Sequence, residues 1–298
     1  MKIAITGSSG LIGSALVSAL RRDGDEVLRL VRRAPRSADE MAWDPGAPHG
    51  GLDPAALRGV GAVVNLAGAG VADHRWTASY KEKIRASRVT STRALAGLLA
   101  DMDSPPSVVL SGSAIGWYGD TGGREVDETT PAGTGFLAGV VKDWEAAADP
   151  ARQAGLRVVT LRSGIVITRQ GGMLGRFLPL FRLGLGTRLG PGTQVMSWVA
   201  LADWIRIARF LLDHPEISGP VNLTSPEPVT NAAFTSALAA ALHRPAVLSV
   251  PSPVLSLALG EVTSDLLSSA RVRPRRLPDA GFEFSFPSMA GALAAELS

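Results

Sequence analysis

Cysteine is absent from the 298 residues, which excludes disulfides, thiolate nucleophiles and Cys-ligated zinc and fits a cytoplasmic protein. Tyrosine occurs twice, at Tyr80 and Tyr118, and lysine four times, at Lys2, Lys81, Lys83 and Lys142. Chemistry that needs a phenol or an amine therefore has few groups to choose from. No apolar run reaches the ~18 residues that a membrane span requires. A leader is not expected either, because MKIAITGSSG offers one lysine and a very short apolar stretch before its glycines. Arginine supplies most of the 30 basic side chains, set against 27 acidic ones. The basic spots, Arg32-Arg33 and RVRPRR at 271–276, are too short for a nucleic-acid footprint.

What is present is the composition of an ordinary globular chain, 46% hydrophobic and 19% charged, long enough for one large α/β domain with a smaller lobe. Ile3 to Thr6, Glu26 to Val31, Ala62 to Leu66, Val108 to Leu110 and Val158 to Leu161 read as short buried strands. Between them Leu11 to Arg22, Ala78 to Ala100 and Gly135 to Gly155 carry apolar residues at helical spacing. This alternation predicts a Rossmann-type, doubly wound parallel sheet with helices on both faces. The expected division gives residues 1–165 to the dinucleotide-binding domain, completed by roughly 200–215. Residues 166–199 and 216–298 form a smaller C-terminal substrate lobe.

The strongest local signal is TGSSGLIG, Thr6 to Gly13, between the first strand and the first helix. Gly7 permits the tight turn, Gly10 lets backbone approach a pyrophosphate, and Gly13 allows close helix–strand packing. The plainer alternative is that the glycines only serve a tight turn. At the end of the second strand, EVLRLVRR, an NAD site usually places a carboxylate for the ribose hydroxyls. Arg32 and Arg33 stand there instead and suit a 2′-phosphate, so NADP(H) is expected over NAD.

TGSSGLIG, NLAG at Asn65 to Gly68 and LSGSAIGWYG at Leu110 to Gly119 together resemble the extended short-chain dehydrogenase/reductase superfamily of nucleotide-sugar epimerase type. WDP at Trp43, RWT at Arg75, SR at Ser87, WE at Trp144, LRSGIVI at Leu161, FRLGLG at Phe181, MSWV at Met196 and the tail RVRPRRLPDAGFEFSFP narrow the likeness. They are similar to its atypical epimerase-family branch, which has its own C-terminal domain. The resemblance implies cofactor contacts from Gly7, Ser9, Gly10, Leu11, Ile12 and Gly13, from Leu66, Ala67 and Gly68, and from Arg32 and Arg33. It also implies a serine with a YxxxK pair, in which the tyrosine is the acid/base and the lysine lowers its pKa and holds the nicotinamide ribose. Ser113 matches the serine and Lys142 the lysine, but Ala138 stands where the tyrosine belongs.

Tyr118, on the loop expected to line the substrate side, is the better phenolic replacement, with Tyr80 behind it. His74, after NLAG, lies at the ligand edge, and Asp73 beside it is a candidate for a helix cap or solvated charge. Arg88 occupies the position of an asparagine in related enzymes and is expected either at the cofactor or in an ion pair on a helix face. Lys142 is likewise expected either on the cofactor or on a solvated helix face. The histidine usual after MSW is missing, with Ala200 in that region. Arg182 and Arg188 suit either a substrate phosphate or a solvated edge. No metal site is expected, and the resemblance implies a homodimer formed through paired helices. Two functions follow: an NADP(H)-dependent oxidoreductase or epimerase-like enzyme on a small carbonyl or nucleotide-sugar substrate, or a non-catalytic NADP(H)-binding sensor or scaffold.

Overall fold

Branched apolar residues flanked by turn formers build β1 (Lys2–Thr6), β2 (Glu26–Val31), β4 (Ala62–Asn65) and β5 (Val108–Ala114), and β3 (Glu40–Ala42) adds a short edge strand. The computed structural model describes residues 1–298, with the side chain of residue 259 outside the description. The seven-stranded central sheet runs in the order Gly219–Leu223, Arg157–Ser163, β5, β4, β1, β2, β3, and every pairing in it is parallel. Helix α1 (Leu11–Arg22) and the helix Leu201–Asp213 cover one face through Leu16, Leu20, Trp204, Ile207 and Leu211. Helix α2 (Ala78–Ala100) covers the other through Leu95, Leu98 and Leu99. Each fully buried Leu or Ile contributes about 1.5–3 kcal/mol of transfer free energy, so both helical layers are firmly seated.

Three features depart from the pattern read in the sequence. The region expected as one helix from 135 to 155 divides into α3 (Phe136–Ala146) and the short helix Asp149–Gln153, with Pro150 at the start of the second. β3 was not anticipated, since three residues in a polar, proline-flanked stretch carry no periodic signal. The strand Gly219–Leu223, expected in the C-terminal lobe, pairs instead with Arg157–Ser163 and completes the central sheet. The lobe has its own core, built from Leu174, Leu178, Phe181, Trp198, Phe234, Leu238 and Leu293. It is stitched back to the sheet domain by the pairing of Arg271–Val272 with Glu125–Val126. Among the described residues, no helix is long and apolar enough to cross a membrane.

Candidate functional site

The turn between β1 and α1 has the shape that its glycines demand. Gly7 has φ +65°, and a Cβ there would lie 2.5 Å from the Leu66 carbonyl oxygen at the end of β4. A Cβ on Gly13 would lie 2.2 Å from the Gly7 carbonyl, so the helix can approach the strand only without a side chain. Gly10 meets nothing closer than 3.3 Å and is exposed, as is Ser9. Gly10 is also the residue before α1, and no side chain caps that end. The backbone N–H groups that open the helix, at Leu11 and Ile12, are thus left to an outside acceptor. The residues fit a dinucleotide pyrophosphate: two glycines close the turn and the third leaves its mouth open.

The neighbouring strand ends are fixed beneath that turn. Thr6 Oγ1 donates to Asn65 Oδ1 (2.6 Å), Asn65 Nδ2 to Thr92 Oγ1 (2.8 Å), and Trp144 Nε1 to the same hydroxyl (3.0 Å). One buried chain of hydrogen bonds therefore joins β1, β4, α2 and α3 and leaves Leu66, Ala67 and Gly68 as the backbone leaving the sheet.

At the end of β2 the two arginines differ. Arg33 makes a two-point contact with Glu40, Nη1 to Oε2 at 2.7 Å and Nη2 to Oε1 at 2.6 Å, and Arg29 joins the same carboxylate at 2.9 Å. The hydrogen bond from Arg33, aided by the Arg36 amide, holds the Glu40 carboxyl down to about 2. Arg32 is exposed and takes no part in these ion pairs, so its guanidinium is available to a ligand.

Helix α2 sends Arg88 under the loop that follows β4. Its guanidinium carbon lies 3.2 Å from where a Cβ on Gly68 would stand and 5.1 Å from the centre of the Trp144 ring. Nη1 donates to the Ile84 carbonyl (3.1 Å), and burial pulls the group's pKa down to about 10. Tyr80, also on α2, donates its hydroxyl to the Gly70 carbonyl of the same loop (2.5 Å), and the His74 ring meets the Tyr80 ring edge-on at 4.9 Å. Burial, then the charge of Asp73, pushes the Tyr80 phenol up. Asp73 is bound to Arg176 at 2.9 Å rather than capping a helix.

The residues expected to carry proton transfer are placed differently. Ser113 is buried, and its hydroxyl donates to Glu145 Oε1 at 2.6 Å. Glu145 in turn accepts from Arg162, Nε at 2.8 Å and Nη2 at 2.9 Å. Tyr118, expected on the substrate side, is buried, accepting from Arg162 Nη1 (3.1 Å) and donating to Asn222 Oδ1 (2.8 Å). Burial pushes its phenol up to about 12. Lys142 is exposed and Ala138 is buried. A Cβ on Gly116, just beyond β5, would lie 3.4 Å from Leu137 Cβ and 3.6 Å from Val141 Cγ2. Leu137 and Val141 of α3 thus pack beside Gly116, while the buried Ala138 lies on the side of the helix from which Glu145 reaches Ser113.

The Glu145–Arg162 pair escaped the sequence reading, although WE and LRSGIVI carry it. Its signal is cross-strand register, which sets Arg162 opposite Ser113, and register is not written in either motif alone.

Residues 3–223 match the NAD dependent epimerase/dehydratase family, and residues 250–296 match a domain of unknown function, DUF1731. An epimerase family protein of Mycobacterium bovis is 48% identical over 292 residues, covering 98% of this chain and 96% of its own. The bovine epimerase family protein SDR39U1 is 35% identical over 302 residues, with 98% of each chain covered. The crystal structure of the human epimerase family protein SDR39U1 (isoform 2) with NADPH superposes with a TM-score of 0.90 at 31% identity, covering 100% of this chain and 99% of that one. With the family model matched over residues 3–223 and relatives 35% and 48% identical across 98% of the chain, the chain belongs to the NAD dependent epimerase/dehydratase family.

Proposed function

We propose that the protein binds NADP(H) along the carboxyl edge of its sheet and acts as an oxidoreductase or epimerase-like enzyme on a small carbonyl compound or a nucleotide sugar. The observation that carries the cofactor choice is the end of β2, where Glu40 engages Arg33 and leaves Arg32 free for a 2′-phosphate. In this reading Gly7, Ser9, Gly10, Leu11, Ile12 and Gly13 receive the pyrophosphate, and Leu66, Ala67 and Gly68 line the path beyond it. The NADPH bound by the human relative supports the same choice. The cofactor, when bound, supplies or accepts a hydride. The protein's own task is then to orient the substrate and exchange a proton with its oxygen. The hydroxyls of Ser113, Tyr118 and Tyr80 are all donated to protein acceptors, so the group at the ligand edge left for that exchange is His74.

A second reading, cofactor binding without turnover, is favoured by one observation: the buried Ala138 on α3 stands where the family's tyrosine belongs. Titration of NADPH and NADH tests the cofactor. NADPH is expected to bind more tightly, and Arg32→Glu to cut that preference about 10- to 100-fold, the worth of one or two charge-assisted hydrogen bonds. Equal affinity of the unmodified protein for both cofactors refutes the assignment. Turnover decides between the two readings: absence of NADPH oxidation across a broad carbonyl and nucleotide-sugar panel removes the enzymatic one.

A further inference from the structure

Several of the guanidinium groups around the ligand edge are already matched with carboxylates. Arg33 is bound to Glu40, Arg176 to Asp73 and Arg162 to Glu145. Arg88 differs. Among the described residues it enters no ion pair, and its one hydrogen bond is from Nη1 to the Ile84 carbonyl. Nε and Nη2 have no protein acceptor, yet neither is sealed off from solvent. The side chain is nevertheless held in place, packed close to Gly68 and within 5.1 Å of the Trp144 ring centre. A half-buried cation with two oriented donors and no counter-charge is costly to keep unless something outside the chain completes it.

Its place in the sheet order says what that is not. The cofactor's own anions have their receivers elsewhere: the pyrophosphate at the turn after β1, the 2′-phosphate at Arg32 after β2. Arg88 stands by the loop after β4, on the other side of β1 from β2, and so across the phosphate turn from Arg32. We infer that Arg88 is an anchor for an oxyanion, a carboxylate or a phosphate, on the small molecule that shares the cleft with the cofactor. This rests on the NADP(H) reading for its geometry. It narrows the substrate class from carbonyl compounds in general to those that carry an anionic group within reach of Gly68. The guanidinium fork suits either oxyanion, because two parallel N–H donors match two oxygens of one acid group.

Calorimetric titration with oxalate and, separately, with inorganic phosphate tests this, on the free protein and on protein saturated with NADPH. The expected result is binding of at least one of the two anions. Arg88→Gln should weaken that binding about 10- to 100-fold while NADPH affinity stays within about twofold. Oxalate and phosphate arms distinguish a carboxylate from a phosphate substrate. Gly68→Ala provides a second perturbation that keeps the charge, since its methyl group would press on Arg88 at Cζ, Cγ and Nε. It should weaken the anion several-fold even where Arg88→Gln does not fold. The inference is overturned if the unmodified protein binds neither anion in either form. It is also overturned if Arg88→Gln loses NADPH affinity tenfold with anion binding intact, since Arg88 is then a cofactor contact. If the unmodified protein fails to bind NADPH but binds an anion through Arg88, the cofactor reading fails and this one stands.

Discussion

At the scale of single residues, Gly13 shows how strictly the phosphate turn is specified. Its backbone has no unusual φ, so conformational freedom is not the reason for glycine; the Gly7 carbonyl 2.2 Å from its missing Cβ is. Backbone cannot swing aside as a flexible side chain can. Gly13→Ala should therefore destabilise the fold by about 1–3 kcal/mol, as overpacking does, and should weaken NADPH binding because the turn must widen. Thermal unfolding with a parallel NADPH titration checks it, and a variant with unchanged Tm and unchanged affinity contradicts the account. This turn was legible in the sequence because all of its determinants lie within eight residues. Ser113 and Tyr118 were not, because their hydroxyls are claimed by Glu145, Arg162 and Asn222, which come from distant segments. A side chain's chemistry can be read from its identity, but its availability depends on partners that only the fold brings near.

Elements show the same division between local and distant causes. β1, β2, β4 and β5 announce themselves as apolar runs, while β3 is held by charge: Glu40, its first residue, is grasped by Arg29 and Arg33. The Glu40 carboxyl has a lower pKa in the folded chain, about 2, than its ordinary 4.5. Its stabilising contribution is consequently present above about pH 4.5 and is lost as the pH falls from there through about 2. Glu40→Gln should lower stability at pH 7 and flatten the acid dependence between pH 4.5 and 2. Urea unfolding of both proteins at pH 7 and pH 3 measures this, and parallel pH profiles for the two would contradict it. The same substitution releases Arg33 from its two-point contact with Glu40. In α3 the sequence pointed to Ala138 and Lys142; Ala138 is buried on the side of Glu145, and Lys142 is exposed.

For the whole molecule, the C-terminal domain is joined to the ligand edge as well as to the sheet. Arg75, on the loop after β4, donates to the carbonyls of Leu257 (2.9 Å) and Ala258 (2.5 Å), and Lys81 pairs with Glu261 at 2.6 Å. Val262 packs into the cluster of Trp76, Tyr80, Ile84 and Val140. These contacts lie far apart in sequence, and for that reason the lobe's composition was visible in the chain while its docking was not. Exposed ion pairs such as Lys81–Glu261 contribute about 0–1 kcal/mol, too little to govern global unfolding. They can still decide how often a segment with few buried contacts opens locally. The double variant Arg75→Ala, Lys81→Ala should thus leave Tm within a few degrees of the parent while amide exchange in residues 252–266 rises several-fold. Exchange in β1, β4 and β5 should not change, because their amides are protected by the central sheet. Equal acceleration in the sheet, or none in residues 252–266, would show that the lobe is held by its packing alone and that the Arg75 and Lys81 contacts do not fasten it to the ligand edge.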